Sequence, residues 1–154
     1  QEEDGARLVT GGARPDMPAE LAGGWYFQPT VFADVTPDMR IAQEEIFGPV
    51  TALIRVKDLD EAIRVHNGTK YGLSGAIITR DLAASMKAMR ALKTGIVYLH
   101  NGTIGAEVHL PFGGVKATGN GHREAGITGI DFYSEQKTVY IDYSGGLQRA
   151  QIDT

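Results

Sequence analysis

Residues 43–50 have the sequence Gln-Glu-Glu-Ile-Phe-Gly-Pro-Val, in which two adjacent carboxylates precede an aromatic side chain and a Gly-Pro break. The ionised carboxylate of Glu45 can accept two hydrogen bonds from a diol such as a ribose, because both of its oxygens are acceptors. If the backbone is extended, Phe47 points the same way as Glu45, and its ring can lie against a flat ring bound beside that diol. Composition alone favours a plainer alternative, an exposed acidic turn with Phe47 packed in the core.

A second stretch with unusual composition, residues 110–119, reads Leu-Pro-Phe-Gly-Gly-Val-Lys-Ala-Thr-Gly. Its glycines allow close backbone approach or positive φ angles. The stretch is not a phosphate loop, because the sequence contains no Walker A window and no Gly-x-Gly-x-x-Gly window that follows a predicted strand.

The elements that position these two stretches are predicted from apolar periodicity. Apolar runs bounded by turn residues indicate four strands, over residues 27–35, 50–56, 73–79 and 96–99. Helices are predicted over residues 58–67 and 81–92, the first with Asp58 and Glu61 in a capping-box pattern. This alternation is typical of right-handed crossovers, so we predict an α/β fold with a mostly parallel sheet and crossover helices.

Other segments give weaker patterns. We predict a helix over residues 2–8, a short helix over residues 123–130, and a strand over residues 136–143, where apolar and polar residues alternate. On the helix over residues 81–92, the apolar stripe is interpreted as core packing; its members are Leu82, Met86, Met89 and Leu92. On the other helix, His66 is interpreted as a satisfied, partly buried side chain and not as a ligand.

Composition and charge exclude several function classes. The chain has 154 residues, the size of one ordinary domain, and a net charge of -4. Its lysines and arginines are scattered, so no nucleic-acid partner is expected. No apolar run approaches the roughly 18 residues that span a bilayer, and the acidic N-terminus does not resemble a secretory signal. We therefore expect a protein that is not in a membrane and is cytoplasmic.

The two stretches together resemble a known family. Residues 44–49 are similar to the Glu-Glu-x-Phe-Gly-Pro motif of the NAD(P)-dependent aldehyde dehydrogenase superfamily, and residues 111–119 are similar to its Pro-Phe-Gly-Gly-x-Lys-x-Ser-Gly motif. Thr118 replaces the usual serine and keeps the hydroxyl group. The resemblance extends from about Asp4 to Tyr143 and corresponds to the C-terminal part of such an enzyme.

The resemblance implies specific roles. In this family the second glutamate of the first motif binds the nicotinamide-side ribose and the phenylalanine contacts the nicotinamide, which assigns Glu45 and Phe47 to an NAD or NADP cofactor. The phenylalanine of the second motif forms part of the substrate wall, a role that passes to Phe112. His109, or His100, could bind a carboxylate at the far end of a semialdehyde such as 2-oxoglutarate semialdehyde. Support of loop backbone by both histidines is an alternative of at least equal weight.

The resemblance also implies what this chain does not supply. The family attacks its aldehyde substrate with a cysteine thiolate, and this chain has no cysteine. We therefore expect no catalytic residue, no metal site and no activity in the chain alone. The implied organisation is residues 1–120 from the catalytic domain, residues 121–135 as a connection, residues 136–143 as a homo-oligomerisation strand and residues 144–154 as a tail.

Two other functions remain open from the sequence. A non-catalytic assembly module that pairs through residues 136–143 would also have no need of a cysteine. A reductase of acyl phosphates with a related fold is disfavoured by the residues of the first motif, Glu-Glu-Ile-Phe-Gly-Pro.

Overall fold

The computed structural model describes residues 4–146. Three strands form the first sheet, in the order β1-β2-β3, with β2 antiparallel to β1 and parallel to β3. The strands are β1 (Arg7–Thr10), β2 (Thr30–Ala33) and β3 (Val50–Ala52). A second sheet consists of two parallel strands, β4 (Ser74–Ile77) and β5 (Ile96–Leu99). The predicted α/β class is confirmed, but β3 and β4 belong to separate sheets instead of one continuous sheet.

Four helices accompany these sheets: α1 (Arg40–Gln43), α2 (Leu59–Asn67), α3 (Leu82–Ala91) and α4 (Gly126–Phe132). The predicted start of α2 is confirmed, because the Asp58 side chain accepts the N–H of Glu61 at 2.8 Å. Asp81 caps α3 in the same way, accepting the N–H groups of Ala83 and Ala84. Such caps stabilise a helix by about 1 kcal/mol each. Short 3-10 helices occur at Ala19–Leu21 and Lys116–Thr118.

The buried core cluster of the described residues lies on the first sheet. It contains Ala6, Phe32, Val35 and Ile41, and half-buried residues such as Val50 and Ile54 pack against it. Phe32 comes from β2 and Ile41 from α1, so this cluster joins the sheet to the helix that precedes residues 43–50. The core therefore supports the base of the first candidate loop.

The helix predicted over residues 2–8 is wrong for the part of it that the structure describes. Arg7–Thr10 is strand β1, which pairs with β2, and the Arg7 Nε lies 2.8 Å from Asp34 Oδ2 at the end of β2. The β-branched residues Val9 and Thr10 favour a strand, and pairing with a distant partner decides the outcome.

The interpretation of the apolar stripe over residues 81–92 as core packing is wrong for three of its four members, since only Leu92 is half-buried. Leu82, Met86 and Met89 are 71%, 38% and 41% exposed. The buried residues of α3 are Ser85 and Ala88. The helix packs through its small side chains, which permit close approach to β5.

The segment over residues 136–143 forms neither helix nor strand, and all of its residues are exposed. The predicted oligomerisation strand is thus absent from the single chain. A strand needs a hydrogen-bonded neighbour, and this segment pairs with none of the strands in the described part of the chain. The predicted tail lies mostly outside the described residues.

None of the helices within residues 4–146 combines the length and the apolar character that a membrane crossing requires.

Candidate functional site

The first candidate loop, residues 44–49, connects α1 to β3 and is exposed along its whole length. Its far end is fixed to the first sheet, because the Thr30 N–H donates to Pro49 O at 2.8 Å. Tight turns within the loop join the Gly48 N–H to Ile46 O and the Val50 N–H to Gly48 O, both at 2.8 Å. A loop held in this way presents its side chains from a defined backbone.

The carboxylate of Glu45 has no hydrogen-bond or ion-pair partner within residues 4–146. Its neighbour Glu44 differs, since the Glu44 carboxylate lies 3.3 Å from Arg40 Nη2. The backbone N–H of Glu45 donates to the Tyr71 hydroxyl at 3.4 Å. A cavity of about 300 Å³ lies beside Glu45, and its walls include Tyr71, Leu73 and Thr118. Glu45 thus lines a cavity while its carboxylate oxygens are not engaged by other residues of the described chain.

The ring of Phe47 is 99% exposed. The alternative in which Phe47 fills the core is therefore wrong. A large aromatic side chain that contacts water over nearly its whole surface is free to stack on a planar ligand.

Phe112, in the second candidate loop, is half-buried and forms an isolated antiparallel bridge with Glu124. The two backbone hydrogen bonds of this bridge measure 2.7 and 2.8 Å. Phe112 lines a cavity of about 560 Å³ together with Leu73, Thr118, Phe132 and Tyr133. The loop thus presents one aromatic ring toward a cavity that is lined both by aromatic residues and by polar or charged ones, among them Arg123 and Glu124.

The cavities beside Glu45 and Phe112 are neighbours. Leu73 and Thr118 belong to the walls of both, whereas Glu45 and Phe112 each line only one of the two. His109 and His100 are exposed and line neither cavity. The structure therefore places Glu45 and Phe112 beside neighbouring cavities and leaves the two histidines outside both. Phe47 also lines neither cavity, and its ring is exposed.

Lys116 anchors the second loop, a role that the sequence reading missed. Its Nζ donates to the carbonyl oxygens of Asn67 at 3.1 Å and Thr69 at 3.0 Å, at the C-terminal end of α2. A cation at a helix C-terminus is favoured by the helix dipole. The signal available in the sequence was the lysine of the second motif itself.

A close backbone contact also fixes this loop. A Cβ built on Gly95 would lie 1.7 Å from Gly113 O, a distance that no side chain tolerates. Only glycine at position 95 allows the loop to pack against the start of β5.

His66 is half-buried, as predicted, but its Nε2 has no hydrogen-bond partner among the described residues. Burial lowers the pKa of His66, and the positive charge of Lys116 lowers that pKa further. Both effects favour the neutral imidazole over the cation, which does not suit a role as a cationic ligand-binding group.

Comparisons with known proteins agree on one family. Residues 1–139 match the model of the aldehyde dehydrogenase family. The alpha-ketoglutarate semialdehyde dehydrogenase of Haloferax volcanii is 47% identical over 143 residues, which cover 92% of this chain and 30% of that protein. The chain therefore spans less than a third of the length of this curated relative.

Solved structures show the same resemblance. A NAD-dependent aldehyde dehydrogenase from Sinorhizobium meliloti has a TM-score of 0.85 and 37% identity, covering 96% of this chain and 28% of that one. The indole-3-acetaldehyde dehydrogenase AldA of P. syringae, solved with NAD+ and IAA, has a TM-score of 0.83 and 41% identity, covering 91% of this chain and 27% of that one.

Proposed function

The chain belongs to the aldehyde dehydrogenase family, and from this premise we propose that it forms the C-terminal part of an enzyme that oxidises an aldehyde to a carboxylic acid with NAD or NADP. The observation that carries the proposal concerns two residues on one anchored loop: the Glu45 carboxylate has no partner within residues 4–146, and the Phe47 ring is fully exposed. The nicotinamide cofactor accepts hydride when it is bound. The contribution of this chain is to bind and orient.

The residues present fit a nicotinamide riboside. The two oxygens of Glu45 would accept hydrogen bonds from the two ribose hydroxyls and so orient the sugar. Phe47, two residues along the loop, would contact the nicotinamide end. The 300 Å³ cavity beside Glu45 provides space for the sugar without displacing any buried side chain.

On the substrate side, Phe112 forms an aromatic wall of the larger cavity. We propose a small semialdehyde as substrate, supported by the 47% identity to a protein named alpha-ketoglutarate semialdehyde dehydrogenase. His109 is the proposed contact for the distal carboxylate of that substrate, with His100 as the alternative. Both are exposed in the single chain and so are available for a hydrogen bond.

The proposed nucleophile is a cysteine outside these 154 residues, since the chain itself has no cysteine. The test is to express the complete gene product and the 154-residue chain separately and to follow formation of reduced cofactor with a small semialdehyde. We expect turnover by the complete product and none by the chain. Turnover by the purified chain above a no-protein control would contradict this assignment.

A role in assembly is the second proposed function. The observation that favours it is the full exposure of residues 136–143, where Val139, Tyr140 and Ile141 are 66%, 85% and 69% exposed. Exposed alternating residues without a ladder partner are suited to pair with a strand of another copy. Removal of the chain from Gln136 onward should lower the mass measured by light scattering, and an unchanged oligomer would count against this role.

A further inference from the structure

The short connection between α2 and β4, residues 69–73, contacts both candidate loops. We call it the linking segment. It is not part of either motif, and its residues do not form helix or strand before Ser74. Its hydrogen bonds join it to Glu45 on one side and to residues 115–118 on the other.

On the first side, the contact is made by the side chain of Tyr71. The Tyr71 hydroxyl accepts the backbone N–H of Glu45 at 3.4 Å. Tyr71 and Glu45 also line the same cavity. The hydroxyl therefore restrains the backbone of a residue that lines this cavity.

On the second side, the contacts are made by the backbone of Gly72, which is buried. Its N–H donates to Thr118 Oγ1 at 3.0 Å, and its carbonyl accepts the N–H of Val115 at 2.9 Å. A Cβ built on Gly72 would lie 2.8 Å from Val115 Cγ2. Lys70 O adds a third bond, accepting the Ala117 N–H at 3.1 Å. The linking segment is thus fixed to the second loop.

We propose that Tyr71 and Thr118 are positioning residues for Glu45. The Thr118 hydroxyl fixes the backbone of Gly72 and, with it, the preceding residue Tyr71. The Tyr71 hydroxyl in turn fixes the backbone of Glu45, whose carboxylate is the proposed ribose contact. This inference rests on the proposed function, because it takes Glu45 to be the residue that binds the cofactor ribose. Neither residue needs to touch the cofactor. Loss of either hydroxyl lets Glu45 move and weakens the cofactor site. Tyr71 lies outside the cavity that Phe112 lines, so the loss of its hydroxyl leaves that cavity unchanged.

The expected effect is the loss of one neutral hydrogen bond, which corresponds to an increase of about two- to tenfold in the KM for the cofactor. In Tyr71→Phe the KM for the aldehyde should change by less than about twofold, because Tyr71 does not line the cavity at Phe112. A purely structural role would instead lower the melting temperature and raise both KM values together.

The variants are made in the complete gene product. Tyr71→Phe removes only the hydroxyl of Tyr71, and Tyr26→Phe is its matched control, because the Tyr26 hydroxyl has no hydrogen-bond partner in the described part of the chain. Thr118→Val removes the hydroxyl and keeps the shape, whereas Thr118→Ser keeps the hydroxyl. We expect higher cofactor KM values for Tyr71→Phe and Thr118→Val, and near-normal values for Tyr26→Phe and Thr118→Ser.

A double variant tests whether the two hydroxyls act in series. If they do, Tyr71→Phe combined with Thr118→Val raises the cofactor KM no further than the stronger single variant, because both act on one path. If the increase in cofactor KM of the double variant equals the product of the two single increases, the two hydroxyls act independently, and the series arrangement is overturned. Equal cofactor KM values for Tyr71→Phe and Tyr26→Phe in an active enzyme would overturn the inference itself.

Hydrogen exchange separates this inference from the proposed function. If the unaltered complete product shows no cofactor-dependent turnover, the proposed function fails. Exchange of the peptide that contains Glu45 still decides whether Tyr71 and Thr118 position it. Faster exchange in Tyr71→Phe and Thr118→Val than in their controls supports positioning, and identical exchange in all four variants refutes it.

Discussion

Replacement of Glu45 by glutamine tests the proposed ribose contact most directly. Glu45→Gln preserves the shape of the side chain, removes its charge and converts one of its two acceptors into a donor. The Glu45 side chain forms no hydrogen bond or ion pair within residues 4–146, so the substitution breaks no contact of the described chain. Its effect should therefore appear in binding and not in folding.

The magnitude follows from the geometry. Hydrogen bonds to a charged group contribute about 1.5–3 kcal/mol, and the exposure of Glu45 favours the lower end of that range. Loss of one such bond, at about 1.5–2 kcal/mol, raises the dissociation constant of the cofactor by about 10- to 30-fold. The free energy of unfolding should change by less than about 0.5 kcal/mol, as is usual for exposed substitutions.

The assay is a fluorescence titration of the complete gene product with reduced cofactor, accompanied by urea unfolding. Glu20→Gln is the matched control, because Glu20 is an exposed carboxylate outside the loop and outside both cavities. An affinity within about twofold of the control would refute the ribose contact. Loss of affinity together with a large loss of stability would show that Glu45 has a structural role that its contacts do not reveal.

Three further predictions concern the surroundings of the site. Phe47→Ala should leave the unfolding free energy unchanged, because the ring is 99% exposed, and should weaken cofactor binding by about two- to tenfold in the same titration. Gly95→Ala should destabilise the protein by about 1–3 kcal/mol in urea, because the new Cβ meets Gly113 O, whereas Gly23→Ala, with open space around it, should not. Burial and Lys116 lower the pKa of His66 from its ordinary value of 6.5. The contribution of His66 to the free energy of unfolding should therefore be constant above pH 6.5 and should be lost as the pH falls through the lowered pKa. In urea unfolding at several pH values, His66→Gln should remove this part of the pH dependence.

Sequence reasoning located the elements that local signals determine. The Asp58 cap and the Asn67 end of α2, and the apolar run of β5, were predicted within a residue or two because their signals lie in the elements themselves. Strand β1 was missed because its conformation depends on pairing with β2, more than twenty residues away. The core packing predicted for the apolar stripe of α3 failed for a similar reason. Periodicity identifies an apolar stripe, but it does not show which face of the helix the neighbouring elements cover.

The same division applies to the site. Glu45, Phe47 and Phe112 are recognisable because each lies in a compact motif. The residues that hold them were not found, because their contacts join distant parts of the chain: Lys116 reaches Thr69 across 47 positions, and Gly72 reaches Thr118 across 46. No local pattern encodes such a contact.

Exposed and buried residues of the site differ in how far they tolerate substitution. The proposed ligand contacts, Glu45 and Phe47, are exposed. By contrast, Gly72 and Gly114 are buried, and a Cβ on either would lie 2.8 Å from a neighbouring side chain, Val115 for Gly72 and Thr118 for Gly114. Substitutions of the exposed pair remove little buried surface, so they change binding at little cost in stability. Substitutions of the buried glycines place atoms against neighbouring backbone or side chains and so affect folding first. We therefore expect substitutions at positions 45 and 47 to alter cofactor affinity without loss of the fold. Tyr71 and Thr118 form an intermediate class, because both line the cavity beside Glu45 and each accepts a backbone hydrogen bond, Tyr71 from Glu45 and Thr118 from Gly72.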